Sequence, residues 1–132
     1  MTHLESDQIL VNKSAKEVFN FLTDFNNFQR LMPEQVTDWK STSDTCSFTI
    51  KGMATLGMKI AEKTPNTSIV IKRDGKAPFD FILFCNIEEV AGSEQCKVQL
   101  AFGADLNPML KMMASTPLTN FLNLLTGKLR DL

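Results

Sequence analysis

The sequence predicts an α+β fold in which a curved antiparallel sheet of six to seven strands closes around a long C-terminal helix, with two short helices after the first strand. Three observations carry that expectation. Between residues 36 and 104 apolar and polar side chains alternate with a period of two, the mark of half-buried strands. The intervals between these runs are turn-sized, too short for a crossover helix, so successive strands run antiparallel. After Asn107 the apolar spacing changes to three and four, a helical face long enough to cover the sheet.

The opening reads as a strand over Leu4 to Asn12, with Ile9 and Val11 alternating with polar neighbours. Ser14 then caps a helix over Ser14 to Thr23, with Glu17 three residues on as its capping-box partner and Val18, Phe19, Phe21 and Leu22 as its apolar stripe. Asp24 offers a second cap at once. Phe25, Phe28, Leu31 and Met32 follow at helical spacing until Pro33 ends the run, so two short helices meet at an angle.

From Gln35 the period is two. Val36 to Ser41 is a strand carrying Trp39; Cys46, Phe48 and Ile50 then face one way, and Ser47, Thr49 and Lys51 the other. Gly52 bends or interrupts the chain. Ala54, Leu56, Met58 and Ile60 continue the alternation to a turn at Thr64-Pro65-Asn66, and Ile69 to Arg73 ends at the turn pair Asp74-Gly75. Phe79, Phe81, Leu83, Cys85 and Ile87 form the next inward row. After a turn at Gly92-Ser93, Cys96, Val98, Leu100, Phe102 and Ala104 form the last.

Asn107 before Pro108 places a cap ahead of proline at the first helical position. The expected inward face is Leu110, Met113, Pro117, Phe121, Leu124, Leu125, Leu129 and Leu132. Pro117 breaks the hydrogen-bond ladder inside that span, and Thr116 can recap it, so a kink or a two-part helix is expected there.

At 132 residues the chain is sized for a single domain over 1–132, and 43% apolar with 22% charged residues is ordinary globular composition. A formal net charge of -1 supplies no long-range attraction for nucleic acid or anionic lipid, and the basic clusters are only pairs such as Lys72 and Arg73. The three cysteines, Cys46, Cys85 and Cys96, form no CxxC and sit in strand-like apolar runs, where a reduced thiol behaves as a small hydrophobe. The start, Met1 to Gln8, carries Glu5 and Asp7 and no apolar stretch, and no window resembles a membrane span. A reducing cytoplasmic location is the simplest expectation.

Catalytic chemistry has little to stand on. The one histidine, His3, lies at the terminus, there is no tyrosine, and the cysteines lack a histidine partner in sequence. Asp24, Asp38, Asp80 and Asp105 could pair as acid and base. Asp24 reads better as a helix cap and Asp105 as a residue near the start of the last helix, leaving only water-using or carboxylate-only reactions open. No metal-ligand spacing, phosphate-cradling glycine run or cofactor motif occurs, so neither a metal nor a cofactor is expected.

The segment Lys13-Ser14-Ala15-Lys16-Glu17-Val18-Phe19, the junction Asp24-Phe25-Asn26-Asn27-Phe28 with Leu31-Met32-Pro33 after it, and the amphipathic last helix together resemble the helix-grip (SRPBCC-like) superfamily. That superfamily includes START, plant pollen-allergen and polyketide cyclase-like domains. More narrowly, Asn26 to Pro33 and Phe79 to Val98 resemble uncharacterised bacterial members of it. The resemblance implies a cavity between sheet and helix that holds lipids or aromatic compounds. Its lining would come from Phe48, Ile50, Met58 and Ile60, from Phe81, Leu83, Leu100 and Phe102, and from Met109, Met113 and Phe121.

The leading functional expectation is therefore non-catalytic binding of an apolar small molecule. Ten phenylalanines and seven methionines suit it, and the cluster Met109, Met112 and Met113 suits a flexible pocket mouth, although the same residues can fill a core. Thr49, Lys59, Asn86 and Gln99 would add polar contacts if strand parity turned them inward. The alternative is a protein-interaction or homodimerisation module with a filled core, in which Leu122 and Leu124, off the strictest inward stripe, seat a partner if exposed. A cyclase- or dehydratase-like enzyme is the third reading.

Overall fold

A computed structural model of the chain, describing residues 2–52, 54–75, 77 and 79–132, divides the opening apolar run between two strands, β1 (Thr2–Glu5) and β2 (Ile9–Val11). Both pair with the same partner, β8 (Cys96–Ala104), but with a shift of one residue: Leu4 faces Phe102, and Ile9 faces Val98. The shift is needed because Leu4 and Ile9 are an odd number of residues apart and both pack on the core. Buried Ser6 absorbs it. Its N–H donates to the Leu100 carbonyl, and its hydroxyl oxygen accepts from the Leu100 N–H, each at 2.9 Å.

Helix α1 (Ala15–Leu22) starts at Ser14, whose hydroxyl accepts from the Glu17 N–H at 3.2 Å, and it buries Ala15, Val18, Phe19 and Leu22 against the strands Ser68–Arg73 and Phe81–Glu89. Asp24 caps α2 (Phe25–Phe28) through the Asn26 N–H. A 3-10 turn over Gln29–Leu31 follows. The rings of Phe25 and Phe28 meet edge-on at 5.1 Å and are fully buried, so this short segment is held by packing rather than by its length.

The remaining strands are β3 (Val36–Ser41), β4 (Thr45–Ile50), β5 (Ala54–Thr64), β6 (Ser68–Arg73) and β7 (Phe81–Glu89). They form a curved, open antiparallel sheet in the order β1-β8-β7-β6-β5-β4-β3, with β2 also on β8. The inward rows meet as matched pairs, Leu83 opposite Phe102, Cys85 opposite Leu100, and Phe48 opposite Leu56. The turn residues sit where expected, with Gly52, Gly75, Gly92 and Asn66 at positive φ.

Helix α3 (Pro108–Arg130) begins at Asn107, whose side chain accepts from the Leu110 N–H. Two expectations for it need correction. It is one continuous element, not two, with Pro117 inside it; Pro117 lies on the solvent face, where water can serve the carbonyl that the ring leaves unpaired. The inward face is also rotated by about one residue over Ala114, Leu118 and Leu122, and coincides with the expected stripe at Leu125 and Leu129. Met113 and Pro117 thereby face outward, Leu124 is 40% exposed, and Leu122 is buried. Among the described residues no helix is long and apolar enough to cross a membrane.

Gly57 of β5 is fixed by a close crossing. The Asp74 N–H donates to the Gly57 carbonyl at 2.9 Å, and a Cβ at position 57 would run into the Asp74 carbonyl oxygen. The Gly57→Ala variant is expected to lose about 1–3 kcal/mol of unfolding free energy, read from the urea midpoint. An unchanged midpoint would mean that the loop after β6 yields freely.

Candidate functional site

Helix α3 is held close to the sheet at one side and stands off at the other. Its closest backbone approaches are to β1, β2, β8 and the 3-10 turn. Two polar anchors lie in its second half: Asn123 Oδ1 accepts from the Asp7 N–H at 2.8 Å, and Lys128 Nζ donates to the Met32 carbonyl at 2.9 Å. In the first two turns, the hydrogen bonds of the described residues stay within the helix and its cap.

The gap on the loose side has two parts. Inside is a wholly apolar space of only about 30 Å³ between the inward strand rows and α3. That is room for about one water, with no polar partner to hold it. Outside it, between the end of β4 and the first half of α3, lies an open groove of about 460 Å³. Its apolar lining is Ile50 with Leu110, Ala114 and Phe121 of α3, exposed Pro117 flanks them, and the exposed polar residues Gln35, Lys51 and Asn120 complete it as a rim. Ile50 and Phe121 line both spaces, so they form the wall between them.

Phe121 closes that wall by stacking. Its ring lies parallel to Phe48 at 6.5 Å, and Phe48 stacks on Trp39 at 5.3 Å. A bulge in β3, with Asp38 at φ 56°, sits beside Trp39. The Trp39 indole N–H donates to the Ser41 hydroxyl, which donates to Asn26, tying this aromatic row to α2.

Seven of the expected lining residues, Phe48, Ile50, Met58, Phe81, Leu83, Phe102 and Phe121, surround the inner space. Leu100 is buried on β8 outside it, and Ile60 is half-buried further along β5. Met113 lines the groove instead, 67% exposed, and Met109 is 70% exposed and does not face the interior, which corrects the expectation for both. The cause is the rotated face of α3. Missed residues include Phe28, Met32 and Leu56 inside, and Ala114, Leu118 and Leu122 on the helix. The spacing of Ala114, Leu118, Leu122, Leu125 and Leu129 is as regular as that of the expected stripe, so periodicity does not separate the two.

The polar candidates Thr49, Lys59, Asn86 and Gln99 are turned away from the interior. Thr49 bonds Thr55 across the strands, Gln99 bonds the Ser6 carbonyl, and Lys59 and Asn86 are exposed. Of the carboxylates, Asp24 caps α2, Asp80 pairs with Arg73 at 2.8 Å, and Asp38 and Asp105 are exposed, the Asp105 N–H donating to the Asp80 carbonyl at 2.9 Å. Among the described residues no cluster of potential metal ligands occurs. The three thiols are free and buried. Burial pushes Cys85 up to about 12 from 9.0, and pushes Cys46 to about 12 against a lowering backbone hydrogen bond from Met58, with the Asp74 carboxylate adding to the rise. Cys96 is raised by burial and then by Glu89. Burial and a raised pKa both disfavour the thiolate, as suits thiols that pack as small hydrophobes.

No protein-family model matches the chain, and no curated protein matches its sequence. Solved structures match its shape. The protein XoxI from Bacillus cereus superposes with a TM-score of 0.79 at 13% identity, covering 99% of this chain and 94% of that one. A START superfamily protein from Mycobacterium smegmatis gives 0.71 at 14% identity, over 98% and 94%. Norcoclaurine synthase from Thalictrum flavum, solved with dopamine and hydroxybenzaldehyde, gives 0.71 at 11% identity, over 98% and 84%. The fold is thus the START-like helix-grip fold expected from the sequence.

The thiols set a pH dependence. Cys46 and Cys85 stay protonated in the folded chain up to about pH 12 but ionise near 9.0 when exposed, so the unfolded state binds fewer protons above pH 9. Stability is therefore full below pH 9 and falls as pH rises beyond it, by up to about 1.4 kcal/mol per pH unit for each thiol. Urea titrations between pH 8 and 10.5 should show the decline, and Cys85→Ser should flatten it. An identical slope in the variant would remove Cys85 from the account.

Proposed function

We propose that the chain binds an apolar small molecule, lipid-like or aromatic, in the groove beneath the first half of α3, and that its own residues supply no catalysis. The observation that carries this reading is continuity. The groove of about 460 Å³ falls within the roughly 300–1,000 Å³ of small-molecule sites, and only Phe121 and Ile50 separate it from an apolar interior. A ligand seats its apolar part on Leu110, Ala114 and Pro117 and gains depth by turning Phe121 off Phe48. Lys51 is the one ionisable residue lining the groove among the described residues, so no acid-base pair faces the ligand there.

The interaction reading has one observation in its favour. Met109, Met112 and Met113 are 70%, 83% and 67% exposed along two turns of α3, an adaptable apolar surface that could seat a second copy or another protein.

Titration with the neutral fluorophore N-phenyl-1-naphthylamine separates the two. Saturable, stoichiometric binding is expected. Met113→Trp, which fills the groove, should weaken it about tenfold, roughly 1.4 kcal/mol. Met112→Trp, more exposed and outside the groove lining, should leave it unchanged. Absence of saturable binding, with light scattering showing a dimer that either variant dissociates, would replace the ligand reading with the interaction one.

A further inference from the structure

The groove is two-faced, and its two faces specify more than an apolar occupant. Strand alternation ends at the mouth of the groove with Ile50 turned inward and Lys51 outward, so an apolar wall and a cation stand on consecutive residues. The Lys51 N–H donates to the Gln35 carbonyl at 2.8 Å, which draws the start of β3 and the end of β4 together and places both side chains on one rim. Asn120 faces them from α3, one residue before Phe121. Among the described residues the ion pairs are Arg73 with Asp80 and Arg130 with Asp131, and neither uses Lys51. The side-chain amides of Gln35 and Asn120 take part in none of the side-chain hydrogen bonds formed among those residues. A cation and two amides are thus left uncommitted at the edge of an apolar trough.

We propose that the occupant is an amphiphile with a single negative charge, a long-chain carboxylate, held with its head at Lys51, Gln35 and Asn120 and its chain along Leu110, Pro117 and Phe121 towards the interior. This rests on the binding reading above and names the ligand class for the same site. The charge count selects the head. One ammonium matches one monoanion, and the amide N–H groups complete the hydrogen bonds of a carboxylate. A phosphate dianion would lack a second cation, an amine head would meet Lys51 as a like charge, and an alcohol would leave the cation without a counter-charge. The shape of the site agrees: its polar groups lie at the rim, and the inner space beyond Phe121 is wholly apolar, as a single tail requires.

The test uses the full chain loaded with N-phenyl-1-naphthylamine at low ionic strength and pH 7.5, with decanoate, decanol, decylamine and decyl phosphate as competitors of equal chain length. Decanoate should displace the probe at about one fifth the concentration that decanol needs, the ratio expected of one rim-exposed ion pair. The preference should shrink in 0.5 M salt. Lys51 is exposed, so Lys51→Met folds, and it should bring the decanoate-to-decanol ratio to about one. Equal displacement by decanoate and decanol in the parent chain overturns the head-group assignment while leaving apolar binding intact. Tighter displacement by decyl phosphate than by decanoate overturns the carboxylate class. A chain that does not bind the probe at all overturns both the assignment and the reading beneath it.

Discussion

The cover that α3 lays over the sheet is the contact on which the rest of the molecule depends. An open antiparallel sheet with one apolar face cannot stand in water uncovered, and here one helix supplies much of the cover. Leu118, Leu122, Leu125 and Leu129 are each nearly fully buried, worth about 1.5–3 kcal/mol apiece relative to exposure. Asn123 and Lys128 add directional bonds to the β1–β2 connection and to the end of the 3-10 turn. Apart from Leu118, all of this lies in the second half of the helix. The first half buries only Ala114 and Leu118 and carries three exposed methionines.

That asymmetry produces the site. Because α3 is drawn towards β1, β2 and β8, it leaves a gap over the other side of the sheet, and the gap is bridged by aromatic rings. Phe121 reaches across to Phe48, and Phe48 to Trp39, so the interior is closed by stacking contacts rather than by interlocked aliphatic packing. Such a wall costs little to move: an aromatic pair contributes about 0.5–1.5 kcal/mol beyond its buried area. A small inner space and a large outer groove are then compatible with one binding site, since the division between them is a few side chains thick.

Legibility varied with the kind of information each element used. Strand parity was written plainly, because the inward rows of β4, β7 and β8 must alternate and their turns are marked by Gly52, Asn66, Gly75 and Gly92. The caps at Ser14, Asp24 and Asn107 were equally local, each a side-chain oxygen within reach of a backbone N–H two or three residues on. The division of the first strand was not local. It follows from the need for Leu4 and Ile9 to meet the same face of β8, and only the pairing reveals that Ser6 takes up the extra residue. The phase of α3 was hidden for a similar reason. Two stripes of equal regularity are present, and packing on the sheet selects the one that turns Ala114, Leu118 and Leu122 inward.

The α+β class, the order of elements, the inward rows of the strands and the burial of the cysteines are legible in the sequence. Each of these depends on chemistry within a few residues: alternation, caps, turns, and thiols set in apolar strand runs with no histidine partner. Only the tertiary structure decided which face of α3 looks inward, how little space remains beneath it, and that Gln35, Lys51 and Asn120 come together on one rim. Those features arise where segments far apart in the chain approach, and no local pattern encodes the distance at which they stop.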